Sequence, residues 1–147
     1  RRYLHPFNNC TCSGPRLTIL DSMPYDRVRT SMGEFPMCEK CEWEYTHAKT
    51  RRFDAQPVCC NECGPEVYLI GRSERGRDAN TYTRRMISEG KIVAIKGIGG
   101  FHLCCDATNE EAVKRLRTLK KRPAKPFAVM AKDESVVKRE CIVTPEQ

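Results

Sequence analysis

What the chain lacks narrows the field first. Among its 147 residues, no run approaches the ~18 apolar residues that a membrane-spanning helix needs. No charged-then-apolar leader opens it. A soluble, cytoplasmic protein with no membrane partner is expected. Arg1 stands where an initiator Met would, and "IVTPEQ" (142–147) carries no terminating signal, so the chain reads as a piece of something longer. The glycine-rich "GIGG" (97–100) is followed by His102 where a dinucleotide fingerprint would place a third glycine, which removes that motif. The segment between the cysteine pairs also lacks the basic, aromatic-interleaved helix of a nucleic-acid reader.

What is present is sulfur and positive charge. There are 10 cysteines, and Lys plus Arg number 26 against 19 for Asp plus Glu, a net charge of +7. Nothing in the chain indicates the oxidising compartment that a disulfide framework needs. Cysteines two residues apart close loops poorly as disulfides but can grip one ion. A basic surface favours phosphates, on a nucleotide or a nucleic acid, although a solvated Lys/Arg face explains many such surpluses.

Sliding the chain by 50 residues lays "RRYLHPFNNCTCSGPRLTIL" (1–20) over "RRFDAQPVCCNECGPEVYLI" (51–70). Arg1-Arg2-Tyr3 match Arg51-Arg52-Phe53, Cys10 matches Cys60, and Gly14-Pro15 match Gly64-Pro65. Self-similarity of this kind marks a tandem architecture. The second copy has an upstream partner, "CEKC", which gives Cys38-x2-Cys41-x18-Cys60-x2-Cys63. Two turns that each present two thiolates complete a closed, tetrahedral, structural zinc site. Gly64, without a Cβ, is expected to let the turn approach the sulfurs.

In the first copy, Ser13 falls on Cys63 and Cys12 on Glu62. The equivalents of Cys38 and Cys41 would lie at −12 and −9, before Arg1. Cys10 and Cys12 therefore read as the trailing half of an incomplete second site. Cys59, Cys104, Cys105 and Cys141 show no pairing pattern and read as small buried hydrophobes. Cys59 could compete with Cys60 for the metal, and His47 could replace a ligand, but four cysteines already suffice.

From about residue 78 the pattern becomes alternating. Helices are expected over 78–90, 108–122 and 133–141, and strands over 91–97, in an extended piece after "GIGG", and over 127–131. The helix at 108 opens with a Thr108–Glu111 capping box, carries an Ala112, Val113, Leu116, Leu119 stripe, and is stopped by Pro123. This alternation indicates an α/β sheet domain. About 70 residues make a marginal unit on their own. Lys96 ends a strand beside the glycine turn, and Lys120, Arg122 and Lys125 cluster around two prolines. Cations on such a stiff loop suit a triphosphate or carboxylate, or simply complement the helix dipole.

"RRYLHPFNNC", "GPRLTI", "MPYDRVRTSM", "FPMCEKC", "RRFDAQPV", "CNECGP" and "KGIGGFHLCCDATNEEAVKRLRTLKKRPAKPFAVM" resemble the HypF family of hydrogenase-maturation carbamoyltransferases. The family's order is an acylphosphatase domain, two four-cysteine zinc fingers, a YrdC-like domain and a transferase domain. The resemblance implies a mixed fold, α+β followed by α/β. It has three segments: the trailing half of a first finger (1–22), a complete four-cysteine finger (23–75), and the N-terminal part of a YrdC-like domain (78–147). The family's first finger reads Cys-Thr-Asn-Cys-Gly, from which Cys10-Thr11-Cys12-Ser13-Gly14 departs.

The implied chemistry makes carbamate from carbamoyl phosphate and carbamoyl-adenylate from carbamate and ATP, with Mg²⁺ expected. The carbamoyl group then passes to the C-terminal cysteine of a HypE-type partner, toward the cyanide ligands of [NiFe] hydrogenase. It also implies that Lys120, Arg122 and Lys125 contact the nucleotide phosphates, with Lys96 and His102 lining the same cavity. The chain by itself is expected to be inactive. A zinc-dependent module binding double-stranded RNA and a structural interdomain spacer are the alternative readings.

Overall fold

The computed structural model describes residues 1–144. The first seventy residues form an irregular unit, with single 3-10 turns at Leu17–Ile19, Arg27–Arg29 and Ser31–Glu34 and one helix, α1 (Glu39–Thr46). Regular alternation follows: α2 (Gly76–Ser88), β1 (Val93–Lys96), β2 (Phe101–Cys104), α3 (Glu110–Lys120) and α4 (Glu134–Glu140).

The core sits at the cysteines. Cys41, Val58 and Cys60 are fully buried and form one cluster, against which Met37, Cys38, Tyr45 and Cys63 pack. Cys10, Met32, Ala55 and Cys59 are also buried. A core whose largest fully buried side chain is Val58 supplies little hydrophobic stabilisation, so further cross-linking has to come from polar bonds or a metal. Arg27 provides one polar tie: buried, it donates to the carbonyls of Gln56 (2.6 Å), Val58 (2.8 Å) and Phe35 (2.8 Å).

Among the described residues of the second half, only Ala79, Ala112 and Leu116 are buried apolar side chains. The α2 helix ends at Gly90, whose N–H donates to the Ile87 carbonyl at 2.9 Å. Its φ of +75° favours glycine, and a Cβ there would lie 2.7 Å from Asn109 Nδ2. Arg115 of α3 donates to the Gly90 carbonyl, which locks the end of α2 to α3. β1 and β2 form a two-stranded antiparallel hairpin, with Val93 opposite Cys104 and Lys96 opposite Phe101.

Three local expectations are corrected. The cap of α3 is Asn109, whose side chain accepts from the Ala112 N–H at 2.9 Å. Thr108 instead binds Asp106 Oδ1 through its N–H (2.8 Å) and hydroxyl (2.7 Å), a local Asx turn that competes with capping. Residues 127–131 form no strand, because a strand needs a neighbour to complete its ladder and the hairpin is the only sheet among the described residues. Cys141 is exposed and Cys104 and Cys105 are half-buried, so of the four unpaired cysteines only Cys59 behaves as a buried hydrophobe.

Candidate metal centre

The leading cysteine pair is mounted on a helix start. Cys38 is the N-cap of α1, and its carbonyl accepts from the N–H groups of Cys41 and Glu42, both at 2.9 Å. This puts the Cys41 sulfur one turn along, on the buried side. The trailing pair sits in a tight turn, with the Cys60 carbonyl accepting from Cys63 N–H (3.3 Å) and Gly64 N–H (3.1 Å). The Glu62 N–H points at Cys60 Sγ (3.4 Å). Gly64 matters for a reason other than sulfur access: a Cβ there would lie 2.6 Å from Cys59 Cβ and 3.0 Å from Cys59 Sγ.

The four sulfurs of Cys38, Cys41, Cys60 and Cys63 lie within 4.8 Å of one another. Cys38–Cys60 and Cys60–Cys63 are each 3.8 Å apart. A Zn–S bond of about 2.3 Å sets a tetrahedron edge of about 3.8 Å, so this donor set fits Zn²⁺ with no rearrangement of those pairs. Four thiolates leave no open coordination position, the mark of a structural site. Burial pushes the Cys41 and Cys60 thiols up. Burial also acts to raise Cys38, but the Cys41 N–H and the neighbouring sulfurs outweigh it and bring Cys38 to about 7.

Around the sulfurs lies a polar shell. Arg2 donates to Cys41 Sγ (3.2 Å), and Arg1 approaches Cys38 Sγ at 3.7 Å. Glu44 of α1 pairs with Arg1 and Arg2, each at 2.9 Å, and with Arg52 at 3.3 Å. Burial acts to raise the Glu44 carboxyl, and the three guanidiniums hold it below its ordinary range nonetheless. His47 is exposed and stacked on Trp43 at 4.4 Å. Cys59 meets His5 Nε2 at 3.2 Å, burial pushes its thiol up to about 11, and its sulfur is not one of the four that cluster.

In the first repeat the turn at 10–13 repeats the shape of the turn at 60–63, with the Ser13 N–H donating to the Cys10 carbonyl at 3.3 Å. Ser13 Oγ lies 3.2 Å from Cys10 Sγ, while Cys12 is exposed. The structure therefore brings Ser13, not Cys12, beside Cys10. The Ser13 hydroxyl, and after it Arg51, draw the Cys10 thiol down to about 6.

Comparison with known proteins agrees with this geometry. A family model described as the HypF finger matches residues 37–70, and one described as telomere recombination, the Sua5, YciO and YrdC group, matches residues 85–147. The carbamoyltransferase HypF of Rhodobacter capsulatus is 50% identical over 139 residues, 94% of this chain and 19% of its own length. The probable carbamoyltransferase HypF of Methanocaldococcus jannaschii is 49% identical over 137 residues, 91% of this chain and 18% of its own. By these matches the chain is similar, over most of its length, to a segment of the HypF carbamoyltransferases.

A solved full-length HypF in its phosphate- and nucleotide-bound form is 53% identical, with a TM-score of 0.83 over 99% of this chain and 19% of that one. The HypF of T. kodakarensis is 50% identical, with a TM-score of 0.87 and the same coverage. The chain thus spans about a fifth of the HypF proteins it matches, and within it a four-cysteine finger precedes a small YrdC-like α/β region.

The residues expected at a nucleotide fall into two groups. Lys96 and His102 share the hairpin: Lys96 Nζ donates to the Gly97 carbonyl at 2.8 Å, and His102 Nε2 lies 2.8 Å from where a Gly97 Cβ would stand. Lys120 ends α3 and Lys125 lies in the loop beyond, both exposed. Arg122 is half-buried with its guanidinium over Phe127 at 5.4 Å, and its Nε has no hydrogen-bond partner. Among the described residues no hydrogen bond, ion pair or ring contact links the two groups.

The sequence reading missed the Arg1, Arg2 and Glu44 shell. The recurrence of the Arg-Arg-aromatic triplet at 51–53 marks Arg1 and Arg2 as part of the repeat, but not as partners of the sulfurs.

Proposed function

We propose that this chain supplies the zinc finger and the opening of the YrdC-like domain of a cytoplasmic carbamoyltransferase. Its three segments, 1–22, 23–75 and 78–147, correspond to the trailing half of a first finger, a complete finger and the start of that domain; residues 145–147 lie outside the described residues. The whole enzyme uses carbamoyl phosphate and Mg²⁺-ATP to form carbamoyl-adenylate and passes the carbamoyl group to the C-terminal cysteine of a HypE-type partner, for the cyanide ligands of [NiFe] hydrogenase. The observation that carries this reading is the similarity, over 99% of the chain, to a HypF solved with phosphate and nucleotide bound. Thiolate ligands, which need a reducing compartment, support the cytoplasm.

In this reading Zn²⁺, when bound by Cys38, Cys41, Cys60 and Cys63, supplies rigidity and no reaction chemistry. The chain's own contribution to the reaction is charge: Lys120, Arg122 and Lys125, with Lys96, offset the repulsion when carbamate approaches the phosphates of ATP, and His102 lines the same cavity. The test is ATP binding by the full-length protein carrying Lys120→Ala or Arg122→Ala. Each substitution is expected to weaken ATP by about 10-fold or more, the scale of one charge-assisted contact. Unchanged affinity returns both residues to complementing the α3 dipole. Double-stranded RNA binding gains no support from the finger, because α1 presents the exposed Glu39 and Glu42 against a single Lys40, and that charge repels a phosphate backbone.

A further inference from the structure

The two repeats grip each other by matched contacts. Arg2 Nε donates to the carbonyl of Cys59 at 2.7 Å, just before the second repeat's cysteine turn. Fifty residues on, Arg52 Nε donates to the carbonyl of Asn9 at 2.9 Å, just before the first repeat's turn. The Thr11 N–H donates to the Arg51 carbonyl at 3.2 Å, and Asn61 Nδ2 to the Arg1 carbonyl at 3.3 Å. Asn9 Nδ2 reaches the Pro57 carbonyl at 2.7 Å, and Cys59 Sγ reaches the Phe7 carbonyl at 3.6 Å. In each pair, adding 50 to one partner and subtracting 50 from the other converts one contact into its mate. That is the self-complementary pattern of a two-fold interface, here inside one chain. Each repeat thereby delivers its arginine pair to the other's turn.

The delivery has a chemical consequence at the complete site. Zn²⁺ with four thiolates carries −4 + 2 = −2. Cys41 and Cys60 are fully buried, and buried charge is costly unless it is paired. Arg1 and Arg2 bring two positive charges. Arg2 Nη2 lies 3.2 Å from Cys41 Sγ, and Arg1 Nη1 lies 3.7 Å from Cys38 Sγ and 4.0 Å from Cys60 Sγ. Glu44 fixes both guanidiniums, each at 2.9 Å. A thiolate that accepts N–H bonds from a cation has less electron density for an incoming electrophile.

We infer that Arg1 and Arg2, delivered by the first repeat, guard the zinc thiolates of the second, balancing the centre's charge and withdrawing nucleophilicity from Cys38, Cys41 and Cys60. This rests on the zinc assignment above and adds to it a residue pair that acts through the ligands. Arg52 provides the internal control, since it shares Glu44 but touches no sulfur of the site.

The experiment loads the chain with Zn²⁺, adds excess N-ethylmaleimide, and follows zinc release with a zinc-binding dye, alongside zinc content and melting temperature. The double variant Arg1→Ala/Arg2→Ala is expected to release zinc about 10-fold faster, at the low end for partners one shell outside a metal. Arg1→Lys/Arg2→Lys, which keeps the charge, is expected to recover most of the protection, and Arg52→Ala to match the wild type. Equal rates in the double Ala variant and the wild type, with zinc fully bound, overturn the inference. So does acceleration by Arg52→Ala equal to that of the double variant, which would mark a loss of folding rather than of guarding. Absence of bound zinc in the wild type overturns the metal assignment along with it.

Discussion

Replacing Gly64 by alanine puts a methyl carbon 2.6 Å from Cys59 Cβ, 3.0 Å from Cys59 Sγ and 3.2 Å from the Cys60 carbonyl oxygen. Carbon atoms prefer separations of about 3.5–4.0 Å, so the closest overlap is about 1 Å. Cys59 cannot step aside easily. It is buried at 1% exposure, its sulfur lies 3.2 Å from His5, and Arg2 holds its carbonyl at 2.7 Å. The turn itself must give instead, and with it the 3.8 Å spacing of the Cys60 and Cys63 sulfurs. Overpacking of this kind costs about 1–3 kcal/mol. Drawn from the metal-bound state, that amounts to a loss of about 5- to 150-fold in zinc affinity. Competition against a chelator of known affinity measures it. Gly99→Ala is the control, since a Cβ there meets nothing within 4 Å. Wild-type zinc affinity in Gly64→Ala refutes the reasoning.

One complete set of four cysteines predicts one tightly bound zinc per chain by native mass spectrometry, and two would refute that count. In the metal-free chain burial keeps Cys41 and Cys60 as thiols above their ordinary range, so zinc binding must expel a proton from each. The free state then holds more protons than the bound state, and affinity rises with pH and is lost as pH falls. Across neutral pH the slope is about 100-fold per unit from these two groups, one decade per proton, and calorimetry in buffers of different ionisation enthalpy counts the protons directly. Asn109→Ala removes the α3 cap and should cost about 1 kcal/mol, seen as a lower melting temperature once zinc is saturating. Thr108→Ala should leave α3 intact, and the reverse ranking would restore the capping box.

The metal centre was legible because its geometry is local. A Cys-x2-Cys pair fixes two sulfurs within one turn whatever surrounds it, so spacing alone named Cys38, Cys41, Cys60 and Cys63. The helices at 76–88, 110–120 and 134–140 were legible for the same reason, through apolar spacing and terminal signals. The Thr108 cap failed because two adjacent residues could each supply an oxygen, and Asp106 claimed Thr108 first. The 127–131 strand failed because periodicity describes a segment and a ladder requires a second one. The arginine shell was illegible as chemistry for a related reason: Arg1 and Arg2 lie 37 or more residues from the sulfurs they meet, and only the fold makes them neighbours.

The interlocked repeats also explain how Ser13 can stand where the second repeat has a ligand. Polar bonds fix the shape of the first turn. Backbone bonds join Cys10 and Ser13 in both directions, at 2.9 and 3.3 Å, and Arg16 holds the carbonyls of Cys10 (3.3 Å) and Thr11 (2.7 Å). The Thr11 hydroxyl binds the carbonyls of Arg51 and Phe53 at 2.9 and 3.1 Å, and Arg52 holds Asn9 from the other repeat. Gly14 repeats the close fit of Gly64, since a Cβ there would lie 2.7 Å from Asn9 Cβ. With so many polar bonds fixing its shape, the turn keeps its outline with Ser13 beside Cys10, whereas the second turn sets Cys60 and Cys63 into the four-sulfur cluster. The contacts that join the two repeats run from the flanks of this turn, and they hold Arg1 and Arg2 beside the second repeat's sulfurs.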